Sequence, residues 1–161
     1  MKNPKVLIIY TGGTIGMVND PETGALKPFD FEYLYNSVPE LKQFDYRLEA
    51  HSMKHPIDSS EMNPTIWADI AKTIFDNYSD YDGFVVLHGS DTMAYTASAL
   101  SFMLQGIQKP VILTGSQLPI GQIRTDGKEN LITAIEIAGL KDEAGEPMVQ
   151  EVAIYFEFQL Y

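Results

Sequence analysis

The sequence predicts a doubly wound α/β domain, in which helices cover both faces of a mostly parallel sheet. Short runs of branched apolar residues recur along the chain, and glycine or small polar residues stop most of these runs. Segments with helical periodicity stand between them. Strands that alternate with helices of about ten or more residues form parallel sheets that are buried on both faces. The 161 residues are enough for one such domain with its own core.

The first part of the chain is expected to place a buried strand before a long loop. Residues 6–10 form an apolar run that ends at the turn 11–16, where two glycines follow each other. A loop is expected over residues 17–30, because Asn, Asp, Gly and Pro are frequent there. A short helix over residues 31–38 and a strand over residues 46–52 follow.

Asn63 and Pro64 predict the start of the next helix. Asn is favoured at the N-cap, and Pro is favoured at the first helical position. The apolar face of this helix is expected to hold the residues that recur at helical spacing, which are Ile66, Trp67, Ile70, Ala71, Ile74 and Phe75.

Three further strands and two helices are expected in the second half of the chain. The strands cover residues 84–87, 111–113 and 152–155. One helix begins near Asp91 and the other after Asp126, where Glu129 is placed to complete a capping box. The expected buried positions are Met93, Ala97, Leu100 and Leu104 in the first helix and Leu131, Ile132, Ile135 and Ala138 in the second. This order of elements is Rossmann-like or flavodoxin-like.

Composition restricts the class of partner and the compartment. The net charge is −11, and the 11 Lys and Arg residues are scattered, so neither nucleic acid nor an anionic membrane is an expected partner. The absence of cysteine excludes disulfides, thiolate metal sites and cysteine nucleophiles. No apolar segment approaches the roughly 18 residues that a membrane helix needs, and no signal peptide is expected. The expected location is the cytoplasm.

Small polar residues follow three of the predicted strands. They lie in the turn 11–16 and in the segments 88–91 and 114–117. Because the carboxyl ends of parallel strands meet at one edge of a sheet, these residues are expected to converge there. A purely structural role stays open for each group, since Ser90 or Asp91 suits a helix N-cap and glycines suit tight turns.

Neither a dinucleotide site nor a metal site is predicted. A G-x-G-x-x-G fingerprint that begins at Gly12 would need glycine at positions 14 and 17, which hold Thr and Met. His51 and His55 stand four residues apart, but Pro56 and the predicted strand end favour solvated loop histidines over metal ligands. His88 suits a base, but a structural hydrogen-bonding role is more typical of a lone histidine. No cofactor and no metal are therefore expected, and hydrolysis by a Thr nucleophile is the chemistry that remains.

Two ordered motifs resemble the signatures of bacterial-type L-asparaginases. They are T-G-G-T-I-G at residues 11–16 and H-G-S-D-T-M at residues 88–93. The segment D-S-S-E-M at residues 58–62 is similar to the substrate-binding segment of that family. The run T-M-A-Y-T-A-S-A-L-S-F at residues 92–102 resembles the type I, cytoplasmic branch in particular. The resemblance covers essentially the whole chain.

The resemblance implies that L-asparagine is hydrolysed to L-aspartate and ammonia without a cofactor. It makes Thr14 the nucleophile that forms a β-aspartyl ester, and it places Ser90 and Asp91 in a second group made of a hydroxyl, a carboxylate and a lysine. The implied substrate-binding residues are Asp58, Ser59 and Ser60, which would hold the α-amino and α-carboxylate groups, together with Gly13 and Gly89. It also implies a homodimer or homotetramer for the full-length protein.

The sequence departs from the family pattern at three places. Position 90 holds Ser where the family has Thr, and Ser is freer in its rotamers than β-branched Thr. Ala25 stands where the family's loop supplies a Tyr. The family's catalytic Lys and its smaller C-terminal domain lie beyond Tyr161. Residues 1–161 are therefore interpreted as an N-terminal domain of a longer protein, with impaired activity when isolated.

Two alternatives remain open at this stage. The first is the amidase-like domain of an archaeal-type tRNA-dependent amidotransferase, which shares these motifs and works with a partner subunit. The second is a non-catalytic domain that binds asparagine or aspartate, which the missing Lys and Tyr would favour.

Overall fold

The computed structural model describes residues 3–19, 26–27 and 31–161, and Ala25 lies outside this part. The strands are β1 (Lys5–Gly12), β2 (Val18–Asn19), β3 (Leu26–Lys27), β4 (Arg47–Ile57), β5 (Gly83–Leu87), β6 (Val111–Thr114), β7 (Val152–Phe156) and β8 (Gln159–Leu160). The helices are α1 (Phe31–Ser37), α2 (Pro64–Asn77), α3 (Met93–Met103) and α4 (Gly127–Gly139). No helix in the described part of the chain is both long and apolar enough to cross a membrane.

The main sheet has the strand order β4-β1-β5-β6-β7-β8. Its first five strands are parallel, and β8 returns antiparallel to β7. The chain runs from β1 outward to β4 and then crosses back to β5 on the other side of β1. The strand order therefore reverses beside β1, and open α/β sheets bind ligands at the carboxyl ends of the strands at such a point.

Helices cover both faces of the sheet, as the sequence predicts. Side chains of β1 alternate between the two faces, so that Ile8 packs with α1 and α4 while Ile9 packs with α2 and α3. Both residues are fully buried. The apolar runs are continuous because a parallel sheet buries both of its faces. The doubly wound α/β fold is confirmed.

Helix α2 begins as predicted, but one residue of its expected apolar face was assigned wrongly. The Asn63 side-chain oxygen accepts hydrogen bonds from the backbone N–H groups of Thr65 at 3.1 Å and Ile66 at 3.3 Å. Phe75 is 76% exposed, whereas Ile74 is fully buried. Consecutive helical residues are about 100° apart around the axis, which carries Phe75 past the buried stripe.

The predicted capping box at the start of α4 is wrong. Asp126 occupies the N-cap position, but its side chain makes no capping hydrogen bond. Its carboxylate accepts instead from the backbone N–H groups of Gln117 at 2.9 Å and Leu118 at 3.1 Å. Asp126 therefore closes the loop between β6 and α4. On the predicted apolar face of α4, Ile132 is only partly buried.

Strand β4 is longer than the sequence indicates, and it continues to Ile57. His51 and His55 therefore lie on a strand and not in a loop, although both are exposed as expected. Pro56 is tolerated because β4 is an edge strand, where a missing N–H disrupts no central ladder. Within the predicted loop 17–30, β2 and β3 form a small antiparallel hairpin.

Candidate active site

A small cleft opens at the carboxyl ends of β1 and β5, beside the end of β4. Its volume is about 190 Å³, which corresponds to about six water molecules. It is lined by residues from three chain segments, which are Tyr10, Gly12, Gly13, Thr14 and Met17, then Pro56, Ile57, Asp58 and Ser59, and finally Gly89, Ser90 and Asp91. The cleft occupies the position where the strand order of the sheet reverses.

Seven of the eight residues that the sequence analysis named for the site line this cleft, namely Gly13, Thr14, Asp58, Ser59, Gly89, Ser90 and Asp91. Ser60, the eighth, is not among the lining residues. Its backbone N–H and its hydroxyl both donate to Asp58 Oδ1, at 2.9 and 2.8 Å. Ser60 thus orients a carboxylate of the cleft without lining it.

Two glycines allow the three segments to meet. Gly13 has a φ of 87°, and a Cβ atom added to it would lie 2.5 Å from the amide nitrogen of Gly89. A Cβ atom on Gly89 would in turn lie 2.5 Å from the Ser59 hydroxyl oxygen. Side chains at either position would therefore push the segments apart. The Thr92 hydroxyl donates to the Ser59 carbonyl oxygen at 2.7 Å and fastens two of the segments together.

Thr14 begins the short 3-10 turn Thr14–Gly16 directly after β1. Its side chain is half-buried at the cleft. Among the described residues, no partner accepts a hydrogen bond from its hydroxyl or donates one to it. Thr11, in contrast, is buried and donates its hydroxyl to the Leu87 carbonyl oxygen at 3.0 Å. Of these two threonines, Thr14 is the one that a ligand in the cleft can reach.

Ser90 and Asp91 lie in a 3-10 turn between β5 and α3. Thr92 holds the N-cap position of α3, and no side-chain capping bond is made there, so neither Ser90 nor Asp91 serves as the expected cap. The Ser90 hydroxyl oxygen accepts a hydrogen bond from Gln117 Nε2 at 3.1 Å. Because that bond uses the oxygen, the Ser90 hydroxyl proton stays available for another acceptor.

Asp58 gives the cleft a negative charge. The hydrogen bonds from the Ser60 backbone N–H and hydroxyl lower the pKa of the Asp58 carboxyl below its usual value. Asp58 is therefore ionised at neutral pH, which suits the ammonium group of an amino acid. Within the described part of the chain, no Lys or Arg lines the cleft.

His88 is a structural residue and does not line the cleft. It is 0% exposed, and its ring nitrogens lie 2.7 Å from the Gly89 carbonyl oxygen and 2.9 Å from the Thr96 hydroxyl oxygen. Burial lowers the pKa of His88, so the ring is neutral at pH 7. With both nitrogens engaged, His88 has no free acceptor for a proton from Thr14.

Tyr10 lines the cleft, although the sequence analysis assigned it only to a strand. Its hydroxyl donates to the Gly13 carbonyl oxygen at 3.3 Å, and burial raises the pKa of the phenol to about 12. Tyr10 is thus an uncharged group at physiological pH. The available signal was its position as the last apolar residue before the glycine turn. Gln117 was also missed as an individual residue, and its segment was noted only as the third polar group.

Comparison with known sequence families follows from this geometry. The family described as "Asparaginase, N-terminal" matches residues 5–161. The chain belongs to the asparaginase family. In this asparaginase-family domain, the match includes all three segments that line the cleft.

Individual members of the asparaginase family give the same result. The chain is 43% identical to L-asparaginase 1 of Escherichia coli strain K12 over 166 residues, which covers 100% of this chain and 46% of that protein. It is 42% identical to one of the glutamyl-tRNA(Gln) amidotransferase subunits of Methanopyrus kandleri over 151 residues, covering 92% and 32%. The crystal structure of L-asparaginase I from Vibrio cholerae superposes with a TM-score of 0.84 at 42% identity, covering 98% and 46%. The chain spans less than half the length of each of these proteins.

Metal ligands do not cluster in the described part of this asparaginase-family domain. Within residues 3–19, 26–27 and 31–161, no three His, Asp or Glu side chains stand close enough together to hold a metal ion.

Proposed function

We propose that this domain hydrolyses L-asparagine to L-aspartate and ammonia, with Thr14 as the nucleophile and an acyl-enzyme as the intermediate. The observation that carries the proposal is the cleft, which gathers two hydroxyl groups and two carboxylates from three chain segments, on Thr14, Ser90, Asp58 and Asp91. The identity to proteins named L-asparaginase supports the choice of substrate.

The proposed substrate orientation follows from the charges around the cleft. Asp58 is ionised and would accept hydrogen bonds from the α-ammonium group of the substrate. Ser59 lies beside it and would donate its hydroxyl to the α-carboxylate. The backbones of Gly13 and Gly89 would contact the side chain of the substrate, because no Cβ atom separates them from it. The volume of about 190 Å³ suits an amino acid and excludes a polymer.

In the proposed reaction, Thr14 Oγ1 attacks the carboxamide carbon of the substrate and gives up its proton. The carbon–nitrogen bond then breaks, ammonia leaves with the added proton, and a β-aspartyl ester of Thr14 remains. Water hydrolyses this ester and regenerates the threonine. Ser90 and Asp91 follow the other glycine of the contact and supply a hydroxyl and a carboxylate for proton transfer.

We further propose that the full-length protein supplies a Lys from outside residues 1–161 as the proton acceptor. Two observations support this: His88 is neutral with both nitrogens engaged, and no Lys or Arg lines the described part of the cleft. A Thr hydroxyl is a weak nucleophile until an adjacent group takes its proton. The isolated domain is accordingly proposed to turn over slowly. For the full-length protein we propose a cytoplasmic location and a homodimer or homotetramer, on the resemblance to the type I branch.

Ammonia release from L-asparagine tests the assignment of Thr14. Single-turnover assays with the domain in excess over the substrate measure slow chemistry directly. Thr14→Val should abolish ammonia release while L-asparagine still binds in calorimetry, and Thr14→Ser should retain part of it. Thr11→Val is the matched control, because it removes a hydroxyl from the same turn that bonds to Leu87 outside the cleft. Wild-type ammonia release in Thr14→Val would refute the assignment.

The amidotransferase relative favours a second candidate function. Its 42% identity over 151 residues is close to that of the L-asparaginases. An amidase domain of that kind would release ammonia only with its partner subunit present. Hydrolysis of free L-asparagine by the domain alone favours the asparaginase. Tight binding of L-asparagine or L-aspartate without any ammonia release, even when the full-length protein is assayed, would favour a non-catalytic binding domain.

A further inference from the structure

A line of three hydrogen bonds runs beneath the cleft from helix α2 to the loop after β5. The Trp67 indole N–H donates to Thr96 Oγ1 at 3.0 Å. Thr96 Oγ1 lies 2.9 Å from His88 Nε2, and His88 Nδ1 lies 2.7 Å from the Gly89 carbonyl oxygen. Both Thr96 and His88 are 0% exposed, so water does not compete for these bonds. The line ends on the residue that contacts Gly13 and precedes Ser90.

The chemistry of the groups gives this line one direction. The Gly89 carbonyl oxygen can only accept, so His88 Nδ1 carries the hydrogen. A neutral imidazole then accepts at Nε2, and burial keeps the ring neutral by lowering the pKa of His88. The Thr96 hydroxyl must therefore donate to His88, and its oxygen accepts from the Trp67 indole, which can only donate. Every donor and acceptor in the line has a single assignment.

The last bond fixes a peptide group of the cleft. The Gly89 carbonyl and the Ser90 N–H belong to one planar trans peptide, so they point in opposite directions. Holding the carbonyl towards His88 therefore holds the Ser90 N–H away from it. The same peptide sets where the Ser90 hydroxyl begins. We propose that Trp67, Thr96 and His88 form a positioning relay that holds the Gly89–Ser90 peptide, and with it Ser90, in one orientation in the cleft.

The relay differs from ordinary core packing in what its loss would change. A core defect lowers the free energy of unfolding, whereas loss of the relay also releases a peptide that lines the cleft. The role of Ser90 in holding or activating a ligand rests on the proposed function. The orientation of the peptide does not depend on it and can be measured separately.

Variants that keep side-chain shape isolate the relay. Thr96→Val removes the central hydroxyl, and Thr96→Ser restores it. Trp67→Phe removes only the indole donor and serves if Thr96→Val does not fold. Thr114→Val is the matched control, because Thr114 is also 0% exposed and donates its hydroxyl to a backbone carbonyl, that of Tyr155 at 2.8 Å, without lining the cleft.

Two readouts on the 161-residue chain test the relay. In NMR spectra, the wild-type His88 should show a protonated Nδ1 and an acceptor Nε2, and Thr96→Val should shift the amide signals of residues 89–91. In calorimetry with L-aspartate as the probe, Thr96→Val should weaken binding about fivefold to tenfold, as expected for loss of one buried hydrogen bond. Thr96→Ser should restore both quantities. Thr114→Val should lose comparable stability while the L-aspartate Kd stays within about twofold of the wild type.

The outcomes separate the relay from the proposed function. If Thr96→Val lowers stability but leaves the 89–91 amide signals and the Kd at wild-type values, the relay is overturned and the three residues are only structural. A His88 ring that is protonated at Nε2 instead would also overturn it. If the wild type binds neither L-aspartate nor L-asparagine, the proposed function fails, while the amide signals and their rescue in Thr96→Ser still decide the relay.

Discussion

Gly13 lies so close to Gly89 that a Cβ atom on Gly13 would stand 2.5 Å from the amide nitrogen of Gly89. These two residues immediately precede Thr14 and Ser90, which carry the two hydroxyl groups of the cleft. The contact between the two backbones therefore sets the separation of the two turns. The site depends on the absence of side chains as much as on the side chains that are present.

Gly13→Ala should destabilise the domain more than Gly145→Ala. Both glycines have a φ of 87°, so both variants lose about 1–2 kcal/mol from the left-handed backbone. Nothing lies within 4 Å of a Cβ atom on Gly145, whereas Gly13 adds a steric clash that costs about 1–3 kcal/mol more. Urea unfolding measures the difference between the two variants. Equal losses would show that the contact with Gly89 relaxes freely.

Asn63→Ala should remove the N-cap of α2 and lower the free energy of unfolding by about 1 kcal/mol. For a chain of 161 residues this corresponds to a drop in Tm of about 2–4 °C. Asn63→Asp keeps an oxygen acceptor for the N–H groups of Thr65 and Ile66, so its Tm should stay near that of the wild type. Equal Tm values for the Ala and Asp variants would contradict the capping role.

Tyr81→Phe should destabilise the domain in a pH-dependent manner. The Tyr81 hydroxyl donates to Glu49 at 2.6 Å, and this bond, with one from Lys5, lowers the pKa of Glu49. Burial, followed by the bond to Glu49, raises the pKa of Tyr81 to about 12. The contribution of Glu49 is present above its unfolded pKa and is lost as pH falls through the lower folded pKa. That of Tyr81 is present below its unfolded pKa of about 10 and is lost as pH rises through about 12.

The cost of Tyr81→Phe should therefore be greatest between about pH 5 and pH 10, at about 1–2 kcal/mol because Glu49 is partly exposed, and should shrink on either side. Tyr78→Phe is the matched control, since Tyr78 also packs on Phe84 but its hydroxyl accepts from the backbone N–H of Gln108. Its cost should be constant over that range. Urea unfolding at a series of pH values distinguishes the two, and parallel profiles would rule out the coupling to Glu49.

Ser60→Ala should raise the pKa of Asp58 towards its usual value, because it removes one of the two hydrogen bonds that lower it. The backbone bond from residue 60 remains, so the pKa should stay below the usual value. An NMR titration of the Asp58 carboxyl measures the change directly. Binding of L-asparagine through an ionised Asp58 should then fail at a higher pH than in the wild type. Ser101→Ala, on the exposed face of α3, is the control and should leave both quantities unchanged.

The sequence predicts the sheet and both layers of helices because their signals are local. Apolar runs that end in glycine mark β1 and β5, and an Asn-Pro pair marks the start of α2. The errors lie where a distant contact decides. Asp126 caps nothing because Gln117 and Leu118 take its carboxylate, and Phe75 is exposed because the sheet selects a narrower stripe of α2.

The candidate site was also partly predictable. Parallel topology alone brings Thr14 and Ser90 to one edge of the sheet, and the structure places both in the cleft. What the sequence could not show is how neighbouring groups are used. The two partners of the His88 ring and the position of Tyr10 against Gly13 depend on contacts between separate elements.

The position of the cleft between β1 and β5 has a consequence for folding kinetics. These strands lie side by side, yet the Thr11 hydroxyl bonds to the carbonyl of Leu87, 76 residues along the chain. Such a pairing closes a long loop, and the entropy of that closure is lost before the contact stabilises the chain. We expect affinity for L-aspartate to return later than the far-UV signal of the helices when the denatured chain is refolded. Ligand binding would then report the last stage of assembly, and a chain with native helix content but no affinity would be an incompletely folded species.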